Sequence, residues 1–340
     1  MSAMKEKSML IGIAYNSYDP VTGRKVDRPS EESVEQTAKE VLTAVTELGY
    51  SSFIIALQKS FMNFLQRLKT LNADVIINLC EAFLGYPQLE ANVAAAFELL
   101  GLPFTGNDSR TLALCLNKFK TKAVLKSSGL PTAPSLLIDA VDQKIDLPFP
   151  LIVKPNNEDA SLGIHPESVV RDEEALRKQV ARILDIFDEP VMVEAFIEGR
   201  EFNVAVMDEE KPEALPVSEI DFTKLPEGQP PICSYEAKWL QGEVLYEATP
   251  PICPAPIDDG LRTKLQDFAV RAFQACECRD YARVDFRVDK KGRPFILEVN
   301  PNPDISLNAG YARALGAAGI DNKVFWQKMI EKARDRKKRT

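Results

Sequence analysis

The stretch YARVDFRVDKKGRPFILEVNPNP, residues 281–303, carries the most informative pattern in the chain. Two alternating runs flank the polar turn 289–292, and this arrangement predicts a β-hairpin. A four-residue turn would set Asp285 opposite Ile296 and Arg283 opposite Glu298. Because cross-strand partners share a face, we expect four polar side chains on one surface of the hairpin. These are Arg283, Asp285, Glu298 and Asn300.

The chemistry of this polar set suggests a metal site. Carboxylate and amide oxygens are hard donors of the kind that Mg²⁺ prefers, so Asp285, Glu298 and Asn300 are the predicted ligands. Arg283 beside them could neutralise charge on a transferring phosphoryl group. The alternative is an ordinary hairpin with a solvent-facing polar side. The opposite face is predicted to be apolar and to consist of Val284, Phe286, Leu297 and Val299.

The rest of the chain alternates strand and helix signals in its first third, which predicts an α/β arrangement. Strands are predicted at 10–15, 53–57 and 74–80, and helices near 31–48, 88–100 and 111–128. From residue 131 onward short strands and intervening helices predict an α+β arrangement, with strands at 151–155, 190–197 and 202–207. The proline-rich segment 208–256 lacks periodicity, and we interpret it as a functional loop.

Composition excludes several functions. The formal net charge of -8 argues against a nucleic-acid partner, and no run of residues is apolar enough for a membrane span. The chain starts without a signal-peptide pattern and its six cysteines lack paired C-x-x-C spacing, so we expect a cytoplasmic protein with reduced thiols. His165 is the single histidine, which excludes a histidine-dependent triad or a multi-histidine zinc site.

Taken in order, five motifs resemble the ATP-grasp superfamily, and within it the D-alanine–D-alanine ligase-like family. They are Leu-Pro-Phe-Thr-Gly (102–106) with Asn117-Lys118; Ile-Val-Lys-Pro (152–155) with Ser161 and Gly163; Val193-Glu194 through Gly199-Arg200-Glu201; Tyr235-Glu236-Ala237-Lys238; and the hairpin Arg283-Val284-Asp285 with Glu298-Val299-Asn300-Pro301. The resemblance covers about residues 8–330. It implies an ATP-grasp fold with an N-terminal Rossmann-like domain at 1–114, a central lid domain at 115–194 and a C-terminal domain with the metal site at 195–340.

The resemblance also implies an activity, in which ATP activates a carboxylate as an acyl phosphate that an amine then attacks. The reaction would need ATP and two Mg²⁺ ions, for which Mn²⁺ is an alternative. The metal ions would be held by Asp285, Glu298 and Asn300. Arg283, Lys238 and Ser161 are implied as catalytic residues, with Arg283 stabilising the tetrahedral oxyanion. The implied nucleotide-binding residues are Lys118, Lys154, Glu194, Phe196, Ile197, Glu201 and Lys238. Among them Glu194 would take the adenine amino group and Glu201 the ribose hydroxyls.

The amino-acid pocket departs from the ligases that make D-alanyl-D-alanine. Their phosphate loop reads Glu-Gly-Ser-Ser-x-Gly, whereas this chain has Glu-Asp-Ala-Ser-Leu-Gly at 158–163, and their tyrosine after the loop lysine is Trp239 here. Asp304 stands where they have glycine, and the glutamate of their early glycine loop has only Glu31 or Glu32 as uncertain counterparts. Losing polar groups that recognise a substrate costs its binding, so we expect a substrate other than D-alanine.

Two other functions stay open from the sequence: a true D-alanine–D-alanine ligase with an atypical pocket, and a non-catalytic nucleotide-binding protein. We expect small-molecule carboxylate and amine substrates, no nucleic-acid or membrane partner, and, by family habit, a homodimer. The loops 156–163 and 225–250 are predicted to be mobile until ATP binds.

Overall fold

The computed structural model describes residues 9–18 and 28–337, with side chains at 9–18 and 33–336. The side chains of Glu31 and Glu32, the uncertain counterparts of the substrate-binding glutamate, therefore lie outside the described residues. The chain divides into two compact units, the first formed by residues 1–109 with 304–340 and the second by residues 110–303. The three domains 1–114, 115–194 and 195–340 stay a prediction. No helix within the described ranges is long and apolar enough to cross a membrane.

The first unit is built on a parallel sheet. Its elements up to residue 99 are β1 (Leu10–Asn16), α1 (Arg28–Glu47), β2 (Ser51–Leu57), α2 (Phe61–Leu71), β3 (Val75–Leu79) and α3 (Glu90–Leu99). The strand order is β2-β1-β3, and both pairings are parallel. Every residue of β3 is buried, as expected for a strand covered on both faces. Alternating helices and parallel strands confirm the α/β arrangement predicted for this part of the chain.

The second unit begins with a four-stranded antiparallel sheet. Its elements are α4 (Ser109–Leu116), α5 (Lys118–Ser127), β4 (Ser135–Ile138), β5 (Leu151–Pro155), β6 (Val169–Val170), α6 (Glu173–Phe187) and β7 (Val191–Ala195). The order is β4-β7-β5-β6. The prediction of one helix over 111–128 was wrong, because the chain breaks at Asn117. The Asn117 side chain accepts a hydrogen bond from the backbone N–H of Lys120 and caps a new helix.

A larger antiparallel sheet completes the second unit. Its elements are β8 (Gly199–Asp208), β9 (Pro212–Ala214), β10 (Ser218–Ile220), α7 (Tyr235–Trp239), α8 (Val244–Glu247), β11 (Pro251–Ile252), α9 (Asp259–Ala275), β12 (Tyr281–Asp289) and β13 (Pro294–Asn300). The order is β11-β10-β8-β12-β13, and β9 pairs with β8. The segment 208–256, predicted as loop, thus contains three short strands and two short helices. One face of the sheet packs on α9 around Phe202, Val284 and Phe286.

The hairpin of β12 and β13 has the predicted faces but a different register. Asp285 pairs with Glu298 and Arg283 with Asn300, two residues away from the predicted partners. The turn is one residue longer than predicted, and a bulge between Asp285 and Phe286 adds another. Two one-residue shifts restore the side-chain alternation, so the polar set still shares a face. The prediction that Leu297 lies on the apolar face was wrong: Leu297 is the unpaired bulge residue, and Ile296 occupies the core in its place.

The segment from residue 304 onward returns to the first unit. It contains α10 (Gly310–Ala317) and α11 (Asn322–Lys337). Phe325, Trp326, Met329 and Ile330 of α11 are fully buried. Phe325 and Trp326 also pack edge to face, with ring centroids 5.0 Å apart. This segment is therefore part of the core of the first unit.

Candidate active site

The polar face of the larger sheet carries ordered rows of functional groups. Across β8 and β12, Glu201 pairs with Arg287 and Asn203 with Asp285. Across β12 and β13, Asp285 pairs with Glu298. Phe202, Val204 and Phe286, which alternate with these residues, lie in the core. The predicted clustering of polar side chains is therefore present, and it extends onto β8.

Asp285 is the most densely bonded member of the predicted metal set. Arg283 binds it in a bidentate manner, with Nε 2.8 Å from Oδ1 and a terminal nitrogen 2.8 Å from Oδ2. Asn300 Nδ2 donates to Asp285 Oδ2 at 3.0 Å and to Glu298 Oε1 at 3.4 Å. Two carboxylates and an amide are the donor set that Mg²⁺ uses when water or phosphate completes its octahedron. The residues therefore fit the ion, provided that Arg283 and Asn300 yield their contacts to Asp285.

Lys118 lies beside this metal set at the start of α5 and is almost fully buried. Its ammonium donates to the carbonyl of Glu158 and lies 3.5 Å from both Asp159 Oδ1 and Glu298 Oε2. Burial lowers the pKa of Lys118, but the charges of Glu298 and Asp159 outweigh it and hold the pKa above the usual value. Burial likewise raises the pKa of Glu298, but Lys118 and the other nearby cations bring it down to about 2. Both groups are therefore charged at neutral pH.

Glu194 lies between two lysines in the smaller sheet and is only 1% exposed. Lys122 donates to Oε1 at 2.7 Å, and the ammonium of Lys154 lies 2.9 Å from Oε2 as an ion pair. Burial raises the pKa of Glu194, but the two ammonium groups outweigh it and lower the pKa. Lys122, which also donates to the carbonyl of Ile296 at 3.2 Å, was missed at the sequence level. Its position four residues after Lys118, on the same face of α5, was the available signal.

Arg287 organises the segment predicted to bind the nucleotide. Its guanidinium donates to the carbonyls of Ile197, Gly199 and Pro231 and to Glu201 Oε2, the last at 3.0 Å. It also lies over the ring of Phe196, 5.0 Å from the centroid. Burial raises the pKa of Glu201, and Arg287 opposes that shift. Arg287 lies two residues after Asp285, so strand alternation places it on the same face of β12, but the sequence pattern indicates no role for it.

Several contacts join the predicted phosphate loop 156–163 and the neighbouring His165 to the segment 233–239, which includes α7. Trp239 Nε1 donates to the carbonyl of Ala160 at 2.8 Å, and Ser161 Oγ donates to the carbonyl of Cys233 at 3.0 Å. Ala160 and Ser161 both have positive φ, 55° and 62°, so these contacts hold a backbone that L-residues rarely adopt. His165 Nδ1 also lies 2.5 Å from Glu236 Oε1. The Lys238 ammonium lies 5.1 Å from the ring centroid of Trp239, on the same helix.

The second unit therefore combines buried lysines, an oxygen-donor set and a covering loop, as a site for a metal-bound polyphosphate requires. The family described as D-ala D-ala ligase C-terminus matches residues 120–331 of this sequence. The chain belongs to this family. As a ligase of this family it is an ADP-forming, ATP-dependent enzyme that joins a carboxylate to an amine and uses Mg²⁺. The alternative of a non-catalytic nucleotide-binding protein is set aside.

Individual relatives and a solved structure resemble this chain over most of its length. The uncharacterized protein y4sG of Sinorhizobium fredii is 33% identical over 288 residues, which cover 83% of this chain and 82% of that protein. The D-alanine–D-alanine ligase of Pelotomaculum thermopropionicum is 31% identical and covers 72% of this chain and 76% of that protein. The crystal structure of the Bacillus anthracis D-alanine–D-alanine ligase complexed with ATP aligns with a TM-score of 0.76 at 20% identity, over 98% and 99% of the two chains. That structural likeness confirms the predicted ATP-grasp fold of the ligase.

Trp239→Phe in this ligase is expected to loosen the phosphate loop. The substitution keeps the ring and removes the hydrogen bond to Ala160, worth about 1 kcal/mol, or about fivefold in the population of the closed loop. Limited proteolysis of loop 156–163 should accelerate about fivefold, and the KM for ATP should rise by about the same factor. Unchanged cleavage and unchanged KM in Trp239→Phe would contradict a holding role for the indole N–H.

Arg287→Met is expected to weaken ATP binding by the ligase. It leaves Glu201 and three carbonyls without their donor, so the KM for ATP should rise at least about tenfold while kcat changes less. Adding Glu201→Gln should recover part of the loss, because the uncompensated charge is then gone. Titration calorimetry with a non-hydrolysable ATP analogue measures the effect. Equal affinity in wild type and Arg287→Met would show that the segment 196–201 is held without the arginine.

Proposed function

We propose that the ligase joins a carboxylate to an amine through an acyl phosphate, and that D-alanine is neither substrate. The observation that carries this proposal is the phosphate loop. Asp159 stands where the D-alanyl-D-alanine ligases have glycine, and its carboxylate lies 3.5 Å from the Lys118 ammonium. Ala160 supplies only its carbonyl, to Trp239, where those ligases have a serine hydroxyl and a tyrosine. The polar groups that face the first substrate therefore differ.

In this proposal the charged residues position the nucleotide and compensate its charge. Lys118, Lys154 and Lys238 bind phosphate oxygens, while Asp285, Glu298 and Asn300 hold the magnesium ions. Arg283 stabilises the oxyanion that forms when the amine attacks, once its contact with Asp285 is exchanged for one with substrate. Ser161 fixes the loop through Cys233. Magnesium, when bound, neutralises phosphate charge and orients the triphosphate.

The nucleotide base and ribose are assigned to the segment that Arg287 supports. Phe196 and Ile197 line the base, and Glu201 accepts from the ribose hydroxyls. Glu194 is proposed to accept from the adenine amino group, although Lys122 and Lys154 already contact its two oxygens. The amino group would therefore be a third partner of this carboxylate.

The amine side of the reaction is less constrained. Asp304 Oδ1 accepts from the backbone N–H of Ser306 at 2.9 Å, so one of its oxygens has a structural partner. We propose that the other oxygen favours a cationic or amine-bearing acceptor. A homodimer and a cytoplasmic location also stay predictions.

The experiment that tests the function is magnesium-dependent phosphate release from ATP. The purified enzyme is incubated with amino acids of both chiralities and with other small carboxylates and amines, singly and in pairs. Release that needs one specific pair, other than D-alanine with itself, supports the proposal and identifies the substrates. Release with D-alanine alone, at a rate that no other pair exceeds, would instead identify a D-alanine–D-alanine ligase with an altered loop.

A further inference from the structure

Two buried polar atoms on the larger sheet have no partner among the described residues. Asn203 Oδ1 and Ser218 Oγ are both enclosed and make no hydrogen bond within the described part of the chain. Ser218 is only 1% exposed. A buried polar atom without a partner costs about 1–3 kcal/mol, so such atoms are uncommon unless a ligand satisfies them.

The two atoms belong to neighbouring positions in the sheet. Ser218 of β10 pairs directly with Asn203 of β8, and Asn203 pairs directly with Asp285 of β12. Asp285 in turn pairs with Glu298 of β13. Cross-strand partners share a face, so the four side chains form one row across four strands. Val217, Phe202 and Val284, which precede Ser218, Asn203 and Asp285 by one residue, lie in the core on the opposite face.

The neighbours of this row are satisfied by protein contacts. On one side Glu201 is bound by Arg287 at 3.0 Å, and on the other Arg283 is bound to Asp285 at 2.8 Å. Within this row, the atoms without a partner are therefore those of Asn203 on β8 and Ser218 on β10, at the end away from Glu298. A hard oxygen without a partner next to two carboxylates is a further ligand for a divalent cation.

We propose that Asn203 is an additional oxygen ligand of the cation held by Asp285 and Glu298, and that Ser218 orients its amide. Directly opposite side chains have Cβ atoms about 5 Å apart, which lets their oxygens approach the spacing of about 3 Å between adjacent ligands of an octahedral Mg²⁺ ion. When Oδ1 faces the ion, Nδ2 can donate to Ser218 Oγ, and both atoms gain a partner. The assignment rests on the proposed metal site and adds a residue from a third strand.

The test measures Mn²⁺ binding rather than turnover. Free Mn²⁺ is followed by electron paramagnetic resonance in titrations of the wild type and its variants, with and without a non-hydrolysable ATP analogue. Asn203→Ala and Asn203→Leu should bind Mn²⁺ about tenfold more weakly, and Ser218→Ala should show a smaller loss. Asn203→Asp, which keeps an oxygen ligand and adds charge, should bind at least as tightly as the wild type.

Three outcomes overturn parts of this assignment and can be told apart. If Asn203→Ala and Asn203→Leu both bind Mn²⁺ with wild-type affinity while Asp285→Asn binds it more weakly, Asn203 is not a ligand, and the metal site at Asp285 is still supported. Wild-type affinity in Asp285→Asn removes the metal site itself, and Asn203 with it. A metal-free melting temperature that falls in Asn203→Ala and Asn203→Leu, but not in Asn203→Asp, which keeps Oδ1, would show that Oδ1 has a structural partner and would contradict the premise.

Discussion

Glu298→Gln is expected to lower the rate of magnesium-dependent phosphate release by about 10³-fold at saturating substrate. Removing one strong electrostatic contact from an active site has an effect of about this size. Glutamine keeps the shape of the side chain and removes the charge. Glu298 pairs with Asp285 across the hairpin and lies 3.5 Å from Lys118, so it links the proposed metal set to a lysine that we propose binds phosphate. With a pKa of about 2, it is an anion at the pH of the assay. The measurement is the initial rate of release across a magnesium titration.

Glu213→Gln is the matched control, because Glu213 lies on β9 with its side chain 65% exposed. It should release phosphate at the wild-type rate. Activity of Glu298→Gln within tenfold of the wild type, at every magnesium concentration, would mean that this carboxylate does not serve the cation during the reaction.

Glu194→Gln is expected to destabilise the second unit by about 3–5 kcal/mol, because it leaves two buried ammonium groups without their counter-charge. Lys122 and Lys154 are 4% and 6% exposed as side chains, so water cannot replace the carboxylate. The urea midpoint of Glu194→Gln should be lower than that of the wild type. The difference in the free energy of unfolding between the two should become smaller as pH rises. Burial lowers the pKa of Lys122, with Glu194 opposing that shift, and losing Glu194 lowers it further. The folded state then gives up this proton more easily than the unfolded state, so alkaline conditions favour folding.

Lys122→Met combined with Glu194→Gln should recover part of the lost stability, since one of the two stranded charges is then absent. Urea unfolding at neutral and at alkaline pH, on the single and double variants, makes the comparison. A deficit in Glu194→Gln below about 1 kcal/mol, or one that grows with pH, would show that the lysines find other partners.

The sequence predicted what depends on short-range periodicity. The polar face of the hairpin could be identified because strand alternation has a period of two and survived a shift of two residues. Its register could not, because neither the longer turn nor the bulge after Asp285 changes the alternation of polar and apolar residues within each strand. The break at Asn117 was missed because the apolar pattern continues across it, although asparagine is a common cap.

Contacts between distant segments were the other part that local patterns could not supply. Lys122 and Glu194 are 72 residues apart, and Arg287 is 90 residues from Ile197. Neither spacing leaves a periodic trace in the sequence. Mobility of the loops 156–163 and 225–250 before ATP binds also stays a prediction. In the structure the two loops are in contact, since Trp239 donates to Ala160 and Ser161 donates to Cys233.

The return of residues 304–337 to the first unit sets an order on biosynthesis. When residue 303 has been synthesised, both sheets of the second unit are complete, whereas the first unit still lacks α11 and the buried Trp326. Domains fold as units during translation once their sequence has emerged. The second unit, residues 110–303, can therefore complete its fold before the first unit does. The first unit is therefore completed after the second, although its parallel sheet lies earlier in the chain, because α11 belongs to its core.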